Sequence, residues 1–293
     1  MLDLHGTMPA LVTPFRDGAV DEDALRRVVD RAIAGGVTGL VPCGTTGESV
    51  TLTDAEHRRV VTAVVEEAAG RVPVIAGAGT VSTDHSIHLA QQAKDVGADG
   101  LLLVCPYYNR PTQAGLAAHF RAIIRAVPLP AVLYNIPKRT GVDLAVDTLR
   151  SLADVPEIIG VKEATGNVQR SQHAIAVCGD RFAILSGDDA LTLPILSVGG
   201  RGVISVTANA FPAETSAVPR LWAEGRTEEA RREHLRLLPV HEVMFVESNP
   251  GPVKAVLADA GHVAPEVRLP LVWPEAGSLG MVRAAVEAAG LGA

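Results

Sequence analysis

Cysteine is scarce in this chain: there are three, Cys43, Cys105 and Cys178, far apart and set in or beside apolar runs. An odd, scattered set argues against a disulfide framework and reads as reduced core thiols. Long apolar runs are also missing, none approaching the roughly 18 residues that a membrane span requires. The first residues, MLDLHGTMPALV, lack a basic segment followed by an apolar one. The expectation is a cytoplasmic protein without membrane contact. No block of lysine and arginine occurs, and the net charge is −7, which argues against nucleic acid as a partner. A protein with this field that acts on small anions must supply positive charge locally. The dinucleotide fingerprint GxGxxG is absent, and no other cofactor motif stands out.

What is present is a soluble composition, 47% hydrophobic and 20% charged over 293 residues, able to bury a large interior. Eight short β-rich runs recur, at residues 8–14, 39–44, 72–78, 100–106, 130–137, 158–164, 182–189 and 202–209. Between them the apolar spacing is helical. Leu25, Val28, Val29, Ala32 and Ile33 share one face of the segment 21–36, with Gly35 and Gly36 suited to its end. Thr53 and Glu56 form a possible capping box opening the next helix, which stops near Gly70. Continuous apolar strands separated by helices indicate a covered parallel sheet, and eight βα units point to a (β/α)8 TIM barrel, an α/β fold. A doubly wound open sheet is the alternative. After residue 226 the strands cease, and 227–246, 250–261 and 277–290 read as helices. This divides the chain into a catalytic barrel, 1–226, and a C-terminal helical region, 227–293, packed on the same body.

A barrel places its chemistry where strands end. In IIGVKEATG, residues 158–166, alternation puts Lys162 on the face of Gly160 and Ala164, whose small side chains leave room around the amine. A lysine at the barrel mouth loses solvation, which raises the fraction of nucleophilic amine and suits it to attack a ketone. The bland reading is a lysine paired with a carboxylate or reaching solvent. Tyr134, at matching depth in the preceding strand, can move the protons that carbinolamine chemistry requires, or can be an ordinary core tyrosine. GTTGE at 44–48 offers two hydroxyls and clustered amides that can hold a carboxylate, or is only a turn. Arg139 has a fork suited to a carboxylate, or lies on the surface. His85 and His88 lack a third ligand, so no metal site is expected. Asp188 and Asp189 can bind a cation or cap the following helix, and capping is the favoured reading.

With these residues placed, the chain resembles the pyruvate-dependent Schiff-base lyases, the N-acetylneuraminate lyase family. The matching blocks are GTTGES at 44–49, PYYNRPTQAGL at 106–116, YNIPKRTGVD at 134–143 and GVKEATGN at 160–167. LSGDD at 185–189, GVISVTAN at 202–209 and NPGPVK at 249–254 continue the match, so it runs essentially end to end. Within the family the chain looks most like the branch that condenses pyruvate with L-aspartate 4-semialdehyde, the first committed step of the diaminopimelate route to lysine. The resemblance implies an imine between Lys162 and pyruvate, the carboxylate resting on Thr45 and Thr46, and a proton relay of Thr45, Tyr134 and Tyr108, the last from a neighbouring subunit. It implies that Arg139 holds the second substrate, that Ile204 lines the imine pocket, and that Gly187 and Asn249 belong to the substrate site. Cyclisation with loss of water then closes a six-membered product. It implies no cofactor, and a homotetramer built as a dimer of dimers.

Sister N-acetylneuraminate lyases and 2-keto-3-deoxy-sugar acid aldolases share the lysine and the tyrosine, so the branch assignment rests on KRTG at 138–141 and KEATG at 162–166. A catalytically idle barrel that only binds a keto acid is a further alternative, although the lysine and every relay hydroxyl are retained. The lysine effector site of feedback-inhibited relatives is matched at Ser49, His57 and Tyr107. It differs at Asp54, Val81 and His85, which stand where those relatives have histidine, asparagine and glutamate. The expectation is weak or absent inhibition by lysine.

Overall fold

A computed structural model describes residues 2–292. Seven parallel strands form one sheet: β1 (Gly6–Pro9), β4 (Ile75–Gly77), β5 (Gly100–Val104), β6 (Ala131–Asn135), β7 (Ile158–Glu163), β8 (Ala183–Ser186) and β9 (Gly202–Ser205), in the order β1-β9-β8-β7-β6-β5-β4. The remaining two, β2 (Phe15–Arg16) and β3 (Ala19–Val20), make a small antiparallel hairpin after β1.

The run 39–44, expected as a strand, is reduced to Leu40 and Val41, yet these close the sheet. Val41 N–H donates to Pro9 O at 3.0 Å and Leu11 N–H to Val41 O at 2.9 Å on one side, while Leu40 N–H reaches Pro73 O at 2.9 Å and Ile75 N–H reaches Leu40 O at 2.8 Å on the other. The run shortens because Pro42 has no N–H to donate and Cys43 adopts φ 56°, which ends extended pairing. The barrel is therefore closed, with its eighth position held by two residues.

Side chains alternate between two cores. Met8, Val41, Ile75, Leu102, Val132, Tyr134, Leu185 and Ile204 fill the interior, whereas Leu101, Leu103, Leu133, Val161 and Ile184 pack outward under the helices. Burial on both faces is why the strands read as continuous apolar runs. One irregularity matters for the site. Ala131 pairs with Ile158 but Val132 pairs with Gly160, leaving Ile159 as a bulge. Ile158 packs outward and Ile159 inward. Strict alternation from Ile158 would have sent residue 162 outward too; the extra residue turns it into the barrel.

The helices begin where the sequence marks them. Asp21 caps Glu22–Ala34 by accepting from Ala24 N–H, and Thr53 and Glu56 complete a capping box on Asp54–Ala68. That helix ends at Ala68, two residues before Gly70, with Ala69 taking a left-handed φ of 48°. Beyond residue 226, helix Thr227–Val243 packs on Pro212–Ala223, and Gly251–Asp259 packs on Ala276–Ala288 and on the turn Thr207–Asn209 beyond β9. Among the described residues no helix is long and apolar enough to cross a membrane. Replacing Thr53 by alanine removes one cap hydrogen bond and should cost about 1 kcal/mol, lowering the thermal midpoint by roughly 2 to 4 °C; calorimetry of the variant checks it.

Candidate active site

The strands β6 and β7 run in register so that Tyr134 lies opposite Lys162. The Lys162 Nζ stands 4.3 Å from the centre of the Tyr134 ring. Both are buried, Lys162 at 4% exposure and Tyr134 at 4%. Burial pushes the Lys162 amine down to about 8; Asp189 opposes the shift and Arg139 adds to it. At pH 7 about a tenth of such a lysine is the free amine, far more than for a solvated one. The group holds fewer protons folded than unfolded, so it weakens the fold at neutral pH and ceases to do so as pH rises from about 8 toward 10.5. Burial also raises the Tyr134 phenol to about 12, with Arg139 and a hydrogen bond to Thr45 acting against it. The phenol thus stays protonated at neutral pH, ready to donate or pass on a proton.

A cleft of about 220 Å³ opens above this pair, lined by Thr45, Ser49, Gly79, Tyr107, Tyr134 and Arg139 among others. Lys162 does not line it, but its amine packs against the ring of Tyr134, which does. Ile204 is fully buried in the same interior core as Tyr134. Gly187 follows β8, where a Cβ would lie 3.2 Å from Lys162 Cε and 2.7 Å from Ala164 Cβ, so glycine keeps the flank of the lysine clear. Thr46 is buried, and its hydroxyl accepts from Asn249 Nδ2 at 2.9 Å. Arg139 sits on the four-residue helix Pro137–Thr140, exposed at the cleft wall.

The other sequence candidates fall elsewhere. Tyr108 is 93% exposed with φ 68°, outside the cleft of its own chain, while its neighbour Tyr107 lines it. Ser49 lines the cleft mouth, but His57 is buried beneath it with Nε2 on Gly77 O at 2.7 Å. The expected capping role holds for Asp188, which accepts from Ala190 N–H, and not for Asp189. Asp189 turns inward and accepts from Ser205 Oγ at 2.5 Å and Val206 N–H at 2.8 Å, pinning β8 to the end of β9 as the buried negative charge that acts on Lys162. A DD pair alone carried no signal to tell the two apart. Glu163 faces outward and pairs with Arg170 at 2.9 Å, so it is no partner for Lys162. Asp54 pairs with His85 Nε2 at 2.9 Å and His88 Nε2 at 3.4 Å; among the described residues no group of histidine, cysteine and carboxylate side chains fits a metal ion.

A closed barrel with a desolvated lysine and a phenol at its strand ends defines an enzyme of the imine-forming lyase class. Residues 3–289 match the Dihydrodipicolinate synthetase family, and the chain belongs to it. It is 53% identical over 267 residues to a 4-hydroxy-tetrahydrodipicolinate synthase of Citrifermentans bemidjiense, covering 91% of this chain and 92% of that one. Its structure is similar to that of the synthase from Methylacidiphilum fumariolicum SolV, with a TM-score of 0.97 and 45% identity over 98% of this chain and 96% of the other. It is also similar to the chloride-inhibited dihydrodipicolinate synthase of Acinetobacter baumannii, solved with pyruvate, at a TM-score of 0.96 and 41% identity over 99% of this chain and 100% of the other.

The geometry at Gly187 is directly testable. Gly187→Ala should displace Lys162 or Ala164 and cost roughly 1 to 3 kcal/mol. Denaturant unfolding, together with mass analysis of amine labelling at Lys162, reads both effects; a stable variant with unchanged labelling would show that the flank has slack.

Proposed function

We propose that the chain acts as a 4-hydroxy-tetrahydrodipicolinate synthase, condensing pyruvate with L-aspartate 4-semialdehyde through an imine on Lys162. The observation that carries this reading is the amine of Lys162, desolvated and set over the ring of Tyr134, which lines an open cleft. The neutral amine attacks C2 of pyruvate, and loss of water from the carbinolamine gives the imine. Tyr134 and Thr45, which both line the cleft, pass the protons for those steps. Thr45 and Thr46 take the pyruvate carboxylate, and Ile204 flanks the imine. Loss of a C3 proton gives an enamine that attacks the aldehyde of the second substrate, whose carboxylate Arg139 holds. The amine of that substrate then displaces Lys162 at C2. Six-membered ring closure frees the enzyme, and one water is lost overall.

Tyr108, standing clear of its own cleft, is proposed to complete the relay of a second copy, in a homotetramer built as a dimer of dimers. The three cysteines are free thiols, in keeping with a cytoplasmic site of action.

Borohydride reduction in the presence of pyruvate should add one pyruvate unit to the peptide holding Lys162, at a rate that rises with pH and levels off near 8. No adduct there refutes the imine. Offering the purified enzyme pyruvate with aspartate semialdehyde and, separately, with a sugar aldehyde tests the branch: faster turnover of the sugar overturns it in favour of a sister aldolase.

Regulation gives a separate check. Asp54 is already engaged by His85 and His88, Val81 offers no polar group, and His57 is turned toward Gly77. Losing the carboxylate partner of an effector ammonium removes a contact worth about 1.5 to 3 kcal/mol. Sub-millimolar lysine should leave the rate unchanged, and clear inhibition in that range would sink the expectation.

A further inference from the structure

The C-terminal region makes three contacts with the loop that carries Thr45 and Thr46. Glu48, which ends GTTGE, is 2% exposed and takes a left-handed φ of 52°. Its two carboxylate oxygens are both engaged from the C-terminal region: Oε1 accepts from Lys254 Nζ at 2.5 Å, and Oε2 accepts from the Arg268 N–H at 2.8 Å. Lys254 is fully buried. Besides Glu48 it donates to Glu266 O at 3.0 Å, and it lies 4.3 Å from the centre of the Phe15 ring, against which the Arg268 guanidinium also packs at 4.3 Å. Five residues before Lys254, Asn249 donates to Thr46 Oγ1 at 2.9 Å. From the other side, Thr13 Oγ donates to Gly47 O at 2.7 Å.

A buried ion pair is a poor device for stability, because stripping water from both charges offsets their attraction, and apolar residues of like volume do as well or better. What it supplies is geometry. A carboxylate with both oxygens bound to fixed donors cannot rotate, and Glu48 is two residues from Thr46 in a loop whose glycines would otherwise leave it free. Asn249 fixes the Thr46 hydroxyl directly.

We propose that Lys254 and Glu48 are positioning residues: the C-terminal region uses their buried contact, with Asn249 on Thr46, to hold the Thr45–Thr46 loop in the form that receives the pyruvate carboxylate. This rests on the function proposed above. It gives the helices after residue 226 a part in substrate binding, although none of them carries the nucleophile.

The test is the double variant Glu48→Gln with Lys254→Met, which removes both charges while keeping the volume, so that neither is left buried alone. Expected are a thermal midpoint close to wild type, half-saturation by pyruvate raised about tenfold, half-saturation by aspartate semialdehyde unchanged, and kcat within about threefold. A purely structural role would not single out pyruvate. If the double variant fails to fold, Glu48→Gln with Lys254→Gln, which removes both charges but keeps polar groups able to hydrogen-bond at the two positions, is read by the same split between the two substrates. A folded variant with wild-type half-saturation by pyruvate, or one that loses both substrates equally, overturns the positioning role. Borohydride trapping on the wild-type enzyme separates the two proposals: no adduct at Lys162 overturns the function and this inference with it, whereas an adduct with unmoved pyruvate saturation in the variant overturns the inference alone.

Discussion

Burying the Lys162 amine against Tyr134, on a strand that pairs it with Leu185, works against the fold and for the proposed chemistry at once. Lowering a lysine from its usual 10.5 to about 8 represents on the order of 3 kcal/mol of lost solvation. The rest of the barrel supplies that stability, through a doubly buried sheet and the outward core that packs it against the helices. Among the described residues no carboxylate neutralises the amine by direct contact. Asp189 acts on it from a position tied down by Ser205 and the Val206 amide, and Arg139 acts in the opposite sense. The amine is left chargeable, which is the condition for the proposed nucleophile, free in one step and positive in the next.

That arrangement requires accurate placement, and three structural devices provide it. The bulge at Ile159 turns the lysine inward. The missing side chain at Gly187 keeps its flank clear. The register of β6 on β7 sets the phenol beside it. Around them, the loop of Thr45 and Thr46 is gripped from the segment after β1 by Thr13 and from the C-terminal region by Asn249 and Lys254. Three distant stretches of chain therefore meet at the loop proposed to receive the pyruvate carboxylate, as expected where binding energy depends on preorganised donors.

Much of this was legible in the residues. The helix starts at Asp21 and Thr53 could be read because a cap is a local contact between residues three apart. The strands could be read because burial on both faces leaves no polar alternation. The short second strand was overestimated, since its apolar content is real but Pro42 and the turn at Cys43 cut the pairing. Asp189 was misjudged because its partners, Ser205 and the Val206 amide, lie on another strand and leave no local mark. Lys254 was passed over for the same reason, its partner Glu48 standing 206 residues away.

The sequence by itself determined the kinds of element, their order, and the presence of an amine, a phenol, two hydroxyls and a guanidinium at strand ends, because these depend on local propensity and periodicity. Closure of the barrel by two residues, the inward turn of Lys162 after a bulge, the depth that desolvates its amine, and the hold of the C-terminal helices on the GTTGE loop were decided only in three dimensions. Each depends on which distant groups share a low-dielectric interior, and neither desolvation nor a buried ion pair between remote residues has a counterpart in the order of residues along the chain.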